Sequence, residues 1–388
     1  MVQTPVYMDN QATTRVDPRV VEAMLPYLER AYGNEGSTSH AFGWEARDAV
    51  DFARQTMASA IGATPREIVF TSGATESNNL ALRGVAQRTR RKGNHIVSVT
   101  TEHKAILDPL VRLARRDFEI TLLPVEQAGS SRAGLLDPQQ VADALRDDTL
   151  LVSVMLANNE IGAICKQREV LLHTDATQAV GKIPVDVQQL QVDLMSFSAH
   201  KMYGPKGVGA LYVRRRTPPV RLEPQIDGGG QEGGMRSGTL NVPGIVGFAR
   251  ALELCLAELD EESARLSRMV RRLYTGFGAA IPDVSLNGPP LDEPAVRLPH
   301  NLNCSFAYVD GEALMMSMRD LAVSSGSACT SANPEPSHVL RALGLGDDLT
   351  RASLRFGLGR FNTDEEVEFA ISAVTEAVHR LRRMSSMA

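Results

Sequence analysis

The first two thirds of the chain alternate short apolar runs with helix-length segments, and this alternation restricts the fold more than any other feature. The apolar runs that indicate buried strands are residues 67–70, 96–99, 150–156, 169–172 and 208–213. Helical patterns, such as residues 76–89 and 138–146, lie between several of them. Strands that alternate with crossover helices are typical of a parallel sheet covered on both faces. We therefore predict an α/β fold.

The pattern changes after residue 241. A helical stretch over 245–274, with apolar residues at three- to four-residue spacing, is followed by a strand near 301–306 and a closing helix over 363–382. A chain of 388 residues is expected to form about two domains. We predict a large domain at residues 15–258 and a smaller α+β domain made of residues 1–14 and 259–388.

Composition excludes several classes of protein. Acidic and basic residues are interspersed and the net charge is -5, which does not suit a nucleic-acid or anionic-membrane binder. No basic-then-apolar leader or membrane-length apolar run is present. The four cysteines are far apart, without metal-ligand spacing. We expect a cytoplasmic protein that holds no structural metal and needs neither nucleic acid nor a membrane.

Two motifs lie where predicted strands end. Lys201 closes the run Ser198-Ala199-His200-Lys201 before a glycine-rich loop, and such a lysine is either a Schiff-base nucleophile or a solvated surface residue. Asp175 follows the strand predicted at 169–172. An aspartate there either holds a pyridinium nitrogen protonated or caps the next helix.

Two further motifs consist mainly of small residues. Residues 70–76 enter a helix whose first amides could bind an anion, although an ordinary N-cap is the alternative. Residues 323–331 form a polar loop around Cys329, and an exposed cysteine in such a loop is a candidate nucleophile. Cys255 and Cys304 lie in apolar patterns and are interpreted as core residues, and Cys165 is left without assignment.

Taken together and in this order, the motifs resemble the group I cysteine desulfurases of the NifS/IscS type, a pyridoxal-phosphate family with the class V aminotransferase fold. The most specific marks are Thr101-Glu102-His103-Lys104, Asn158-Asn159-Glu160-Ile161-Gly162, Ser198-Ala199-His200-Lys201, Met235-Arg236-Ser237-Gly238-Thr239 and Ser325-Gly326-Ser327-Ala328-Cys329-Thr330. The resemblance implies pyridoxal-phosphate fold type I. Its large domain would contain a mostly parallel seven-stranded sheet, and its smaller α+β domain would carry the cysteine loop.

The resemblance also implies a role for each matched residue toward pyridoxal 5'-phosphate. Lys201 would hold the cofactor as a Schiff base, Asp175 would pair with the ring nitrogen, and His103 would stack on the ring and act as an acid or base. Gln178 would bind the phenolic oxygen of the ring, with Asn159 near that oxygen and the substrate. The phosphate would be bound by the amide of Ala74, by Thr75, Ser198 and His200, and by Thr239 from the other subunit.

For the substrate, the resemblance implies that Arg355 binds the carboxylate of L-cysteine, which suits the planar fork of a guanidinium. Cys329 would accept the sulfur as a persulfide, and L-alanine would leave. The implied protein is a homodimeric cysteine desulfurase that passes sulfur to acceptor proteins such as an iron–sulfur scaffold. The alternatives are an aminotransferase or β-lyase of the same fold, or a catalytically impaired scaffold.

One departure from the family favours the last alternative, the catalytically impaired scaffold. Only residues 161–168 separate the two predicted strands around Asn159 and Asp175, where family members usually carry a further helix. A parallel crossover normally needs about 10–12 residues or more. Either the connection is an extended strap, or the predicted strand boundaries are wrong. Smaller differences are Gly233 in place of a common arginine and Glu35 in place of a usual proline.

Overall fold

The structure is a computed structural model that describes residues 2–155, 159–293, 296–325 and 336–384, with the backbone alone at Asn159. In chain order, the strands of these residues are β1 (Val6–Tyr7), β2 (Ile68–Thr71), β3 (His95–Val99), β4 (Glu119–Leu123), β5 (Thr149–Ser153), β6 (Leu171–Asp175), β7 (Leu194–Ser198), β8 (Gly209–Val213), β9 (Val284–Leu286), β10 (Asn301–Phe306), β11 (Leu321–Ala322), β12 (Ser324–Ser325) and β13 (Ser353–Gly357). The α-helices are α1 (Pro18–Glu29), α2 (Ala41–Ala60), α3 (Ala74–Thr89), α4 (Lys104–Ala114), α5 (Pro138–Ala144), α6 (Asn159–Gln167), α7 (Val242–Ala257), α8 (Leu259–Ala280), α9 (Gly311–Met316), α10 (His338–Ala342), α11 (Asp347–Arg351) and α12 (Asp364–Met384).

The chain divides into two compact units. The sheet unit comprises Arg15–Leu123 and Asp137–Glu258, and the terminal unit comprises Met1–Thr14, Pro124–Leu136 and Leu259–Ala388. The sequence-based division placed residues 124–136 with the large domain. They group with the terminal unit because their backbone bonds to it, as where the N–H of Ala128 donates to the carbonyl of Leu343 at 2.8 Å.

A seven-stranded sheet in the order β2-β8-β7-β6-β5-β3-β4 forms the centre of the sheet unit. Strands β4, β3, β5, β6 and β7 pair in parallel, and β8 pairs antiparallel with both β7 and β2. Every residue of β5 and β7 is buried, as expected for strands covered on both faces. The predicted mostly parallel seven-stranded sheet is confirmed.

The connection from β5 to β6 contains the helix α6, so it is not an extended strap. The predicted strand boundaries were wrong: β5 ends at Ser153 instead of residue 156, and β6 begins at Leu171 instead of residue 169. The apolar run simply continues past the last ladder hydrogen bond. Close packing suits this short crossover, because a Cβ on Gly162 would lie 2.2 Å from the carbonyl oxygen of Leu190.

The helical stretch predicted over 245–274 is two helices, α7 and α8. They are separated at Glu258, whose backbone leaves the helical region at φ -107° and ψ 7° while its N–H still bonds to the carbonyl of Leu254. The interruption falls where the sheet unit ends and the terminal unit begins. Hydrophobic periodicity did not reveal it because both helices place apolar residues at helical spacing.

The terminal unit contains an antiparallel sheet in the order β12-β13-β10-β9 and a parallel pair of β1 with β11. Its helices α8 and α12 contact each other, and Phe277, Phe306 and Phe356 are fully buried in its core. The ring centroid of Phe277 lies 5.5 Å from that of Phe306 and 5.2 Å from that of Phe356. Among the described residues, no helix is both long and apolar enough to span a lipid bilayer.

Candidate active site

The candidate cofactor residues of the sheet unit follow the carboxyl ends of strands that run in the same direction. Thr75 lies just after β2, His103 just after β3, Asp175 at the end of β6, and Lys201 just after β7. In open α/β sheets, ligands bind outside these strand ends. Asn159 begins α6 after β5, and its side chain lies outside the described part of the structure.

Asp175 is held by three donors from its own chain. The side-chain amide Nδ2 of Asn78 donates to Oδ2 at 2.7 Å, while the backbone N–H and the hydroxyl of Thr177 both donate to Oδ1. An ionised carboxylate offers about four acceptor positions. With three occupied, one remains for an N–H donor such as a protonated ring nitrogen.

Candidate phosphate residues lie at the N-terminus of α3 and at the end of β7 or just after it. Gly73 precedes α3 at φ 152°, a conformation that favours glycine, and supplies no side chain to cap the helix. The first amides of α3 therefore stay available to an anion. The hydroxyl of Ser198 lies 3.9 Å from where a Cβ of Gly73 would stand. Ser198 therefore lies beside the turn that leads into Ala74 and Thr75.

Lys201 ends a single turn of 3-10 helix, Ala199–Lys201, that follows β7 directly. Burial, followed by the positive charges of Lys201 and Lys206, lowers the pKa of His200 to about 4. His200 is therefore neutral at pH 7 and can donate or accept a hydrogen bond. Gln178 is half-buried three residues after Asp175.

His103 caps the N-terminus of α4, where its Nδ1 accepts the N–H of Ala105 at 3.0 Å. This bond places the ring proton on Nε2 and sets the orientation of the imidazole. The preceding residue, Glu102, is fully buried and accepts the N–H of Met155, just after β5. Burial, and then the charge of Asp175, raise the pKa of Glu102 to about 8.

Beneath the strand ends lies a buried polar row that crosses three strands. The Nδ1 of His173 on β6 lies 2.9 Å from the hydroxyl of Ser153 on β5, and its Nε2 lies 3.0 Å from the hydroxyl of Ser196 on β7. Burial lowers the pKa of His173 to about 4 against the opposing charge of Asp175, so the ring is neutral at pH 7. Sequence reasoning missed this row, although strand alternation puts His173 and Asp175 on one face.

The segment that carries Thr239 is tied to the start of α3. Arg236 donates to the carboxylate of Glu76, with Nε 2.8 Å from Oε1, and the N–H of Ser72 donates to the other oxygen at 2.9 Å. Burial raises the pKa of Glu76, but the hydrogen bonds from Arg236 and Ser72 outweigh it and the net shift is downward. Thr239 itself is exposed on the sheet unit.

In the terminal unit, Arg355 lies on β13 and forms a cluster with Asp9 and Ser324. Its Nη2 donates to Asp9 Oδ1 at 2.9 Å and to the hydroxyl of Ser324 at 3.0 Å, and that hydroxyl donates to the same Asp9 oxygen at 2.8 Å. The Nε of Arg355 is buried and has no hydrogen-bond partner among the described residues. A donor is therefore left for a ligand, and neither Asp9 nor Ser324 was predicted.

The candidate nucleophile Cys329 lies in residues 326–335, outside the described part of the structure. Cys165, Cys255 and Cys304 are all buried free thiols. Burial, followed by the charge of Asp193, raises the pKa of Cys165 to about 12. Cys255 and Cys304 are core residues as predicted. Cys165, on α6, is also buried.

Residues 6–369 match the class V aminotransferase family, whose enzymes depend on pyridoxal phosphate. The chain is 55% identical to the cysteine desulfurase IscS of Anaeromyxobacter dehalogenans. The alignment covers 100% of this chain and 95% of that protein. A NifS-like protein superposes with a TM-score of 0.88 at 37% identity, covering 97% of this chain and 100% of its own. SspA, solved in complex with cysteine, gives 0.78 at 33% identity, with 92% and 99% covered. The chain belongs to the class V aminotransferases and, among them, to the cysteine desulfurases, which confirms the family inferred from the motifs.

Proposed function

We propose that the protein removes sulfur from L-cysteine with pyridoxal 5'-phosphate as cofactor, releases L-alanine and keeps the sulfur as a persulfide on Cys329. The observation that carries the proposal is the remaining acceptor position on Asp175, whose two oxygens are otherwise bonded to Asn78 and Thr177. A carboxylate beside a pyridine nitrogen favours the protonated form of that nitrogen. When bound, the cofactor supplies the electron sink that bond cleavage at an amino acid requires.

The other candidate residues take four roles toward the cofactor. Lys201 binds the cofactor covalently and moves a proton at its Nζ once the substrate has entered. His103 covers the ring, and its fixed imidazole is placed to exchange a proton with the substrate. Gln178 binds the phenolic oxygen of the ring, and Asn159 lies near that oxygen and the substrate. The phosphate is bound by the amide of Ala74, by Thr75, Ser198 and His200, and by Thr239 of a second subunit.

Arg355 binds the carboxylate of the substrate through its buried Nε and its remaining guanidinium donors. The thiolate of Cys329 attacks the substrate sulfur, so that an S–S bond forms as the C–S bond breaks. The electron pair left on carbon takes up a proton, which yields alanine. The persulfide is then passed to an acceptor protein such as an iron–sulfur scaffold.

We also propose that the enzyme is a homodimer in the cytoplasm. Exposed aromatic side chains between residues 32 and 52 of the sheet unit favour a self-association surface, since such clusters usually mark interfaces. They are Tyr32, Phe42, Trp44 and Phe52, each 47–67% exposed. The widely spaced cysteines suit a reducing compartment.

The variant Cys329→Ser tests the mechanism. We expect the bound cofactor to keep its visible absorbance while alanine and persulfide formation from labelled cysteine are lost. Cys165→Ala, which removes a buried thiol, is the matched control and should turn over normally. Undiminished desulfuration by Cys329→Ser would contradict the proposed mechanism.

Pyruvate or a keto acid as the product would instead favour the β-lyase or aminotransferase alternative. Because α6 fills the short crossover, the described residues give no support to the impaired scaffold.

A further inference from the structure

Asn78 is a polar residue on the buried face of α3. Its side chain is fully buried, and its neighbours on that face of the helix include Leu82 and Val85, which are also buried. Its Nδ2 donates to Asp175 Oδ2 at 2.7 Å, whereas its own Oδ1 is buried without a hydrogen-bond partner among the described residues. An unpaired buried acceptor costs stability, so an apolar residue of similar size would suit this place better if packing were its only purpose.

The hydrogen bond has a definite chemical consequence for Asp175. The two Thr177 donors both reach Oδ1, so Asn78 is the one described residue that donates to Oδ2. A donor to an ionised carboxylate stabilises the charged form and sets the rotation of the group. Without the Asn78 donor, no described hydrogen bond would stabilise the charge on Oδ2 or fix the orientation of that oxygen toward the ring nitrogen.

The same side chain also couples two ends of the site. Asn78 lies one turn after Ala74, so it belongs to the helix whose N-terminus faces the phosphate, while Asp175 ends β6. A single hydrogen bond therefore joins the element that holds the phosphate to the carboxylate that holds the ring nitrogen. The distance between the two anchoring points is fixed by this bond as well as by the backbone.

We propose that Asn78 is a positioning residue for Asp175, which orients the carboxylate toward the ring nitrogen of the cofactor and keeps that nitrogen protonated. The inference rests on the proposed function, since it concerns the same site. Asn78 acts through Asp175 and is not itself a catalytic residue. No motif pointed to it, although a polar residue at a core position of a helical pattern is a signal that sequence reasoning can use.

The test uses the full-length holoenzyme reconstituted with pyridoxal phosphate that carries 15N at the ring nitrogen. Asn78→Leu keeps the branched shape of the side chain, removes the donor and removes the unpaired acceptor. We expect the variant to fold, while the 15N resonance moves from the protonated toward the unprotonated position. We expect kcat to fall about 10- to 100-fold, as for other residues that orient a site from outside it, with KM changed much less.

Asn79→Leu is the matched control, because Asn79 is on the same helix and donates to the carbonyl of Thr75 instead. It should leave the resonance in place. If Asn78→Leu does not fold, Asn78→Ala replaces it with the same measurements. A protonated ring nitrogen and a wild-type kcat in the folded Asn78 variant would overturn the inference. A wild-type enzyme that makes no alanine from cysteine would instead contradict the proposed function.

Discussion

The carboxylate of Asp9 lies 2.9 Å from the guanidinium of Arg355, although the two residues are 346 positions apart in the sequence. Asp9 follows β1, whose partner is β11, while Arg355 is on β13. The bond orients the guanidinium plane while its Nε stays unbonded among the described residues. An arginine that is proposed to bind the substrate is thereby held by a carboxylate from the opposite end of the chain.

Asp9→Ala should weaken substrate binding. The hydrogen bond to a charged group is worth about 1.5–3 kcal/mol, so we expect the KM for cysteine to rise about 10-fold or more while kcat falls less. Steady-state alanine formation over a range of cysteine concentrations measures both constants. Asp292→Ala, an exposed carboxylate of the terminal unit, should change neither. An unaltered KM in Asp9→Ala would show that Arg355 needs no anchor.

Gly209→Ala should weaken cofactor binding. A Cβ at this position would lie 2.6 Å from the Cα of Gly73, so the turn before α3 must shift. Overpacking of this kind costs about 1–3 kcal/mol, which corresponds to roughly a 5- to 150-fold rise in the Kd for pyridoxal phosphate. Equilibrium dialysis measures it.

The control for that substitution is Gly278→Ala. Gly278 is exposed in α8, and a Cβ there would meet nothing within 4 Å. Alanine should therefore stabilise the helix by about 0.5–1 kcal/mol and leave the Kd unchanged. Equal effects of the two alanines on the Kd would contradict the role of the Gly73 turn.

Glu102→Gln should change how stability depends on pH. The pKa of Glu102 is raised from 4.5 to about 8 in the folded protein, first by burial and then by Asp175. The folded state therefore holds a proton that the unfolded state has lost between these values, and its stability falls as pH rises through that range. Glutamine cannot ionise, so it lacks this contribution.

We expect the free energy of unfolding of the wild type, relative to Glu102→Gln, to decrease from pH 5 to pH 8 by on the order of a few kcal/mol. Urea unfolding of both cofactor-free proteins at several pH values measures the difference. Glu160→Gln, which changes an exposed carboxylate on α6, should run parallel to the wild type. A constant difference between wild type and Glu102→Gln would disprove the assignment.

Phe52→Asp should weaken the proposed homodimer. Phe52 is 67% exposed on α2, so aspartate costs little in a lone subunit but places a charge in an interface. We expect light scattering to show a larger fraction of monomer at low concentration. Tyr308→Asp, at a 57% exposed aromatic residue of the terminal unit, is the control. A dimer that persists equally in both variants would remove α2 from the interface.

How far the site was predictable differs among its residues. Asp175 and Lys201 each end a buried apolar run, so strand periodicity marked them as candidates, and the family resemblance implied their roles. Asp9 and Asn78 gave no comparable signal. Their roles depend on partners 346 and 97 positions away, and only the folded chain specifies such pairs.

The connection after β5 also shows that local sequence predicted only part of the structure. The apolar run predicted a strand to residue 156, yet the ladder with β6 begins at Leu151 and ends at Ser153. Hydrophobicity reports burial, and a buried residue can belong to a strand or to the loop that leaves it. The hydrogen-bond partner decides which, and the partner strand is not encoded locally.

The sequence by itself determined the α/β class, the family and the residue types at the strand ends, because apolar periodicity and short motifs depend on neighbours along the chain. Tertiary structure alone decided which donors surround Asp175, what holds Arg355, and that the short crossover is a helix. Those features arise where separate elements meet, and their energies come from contacts between residues that are distant in sequence.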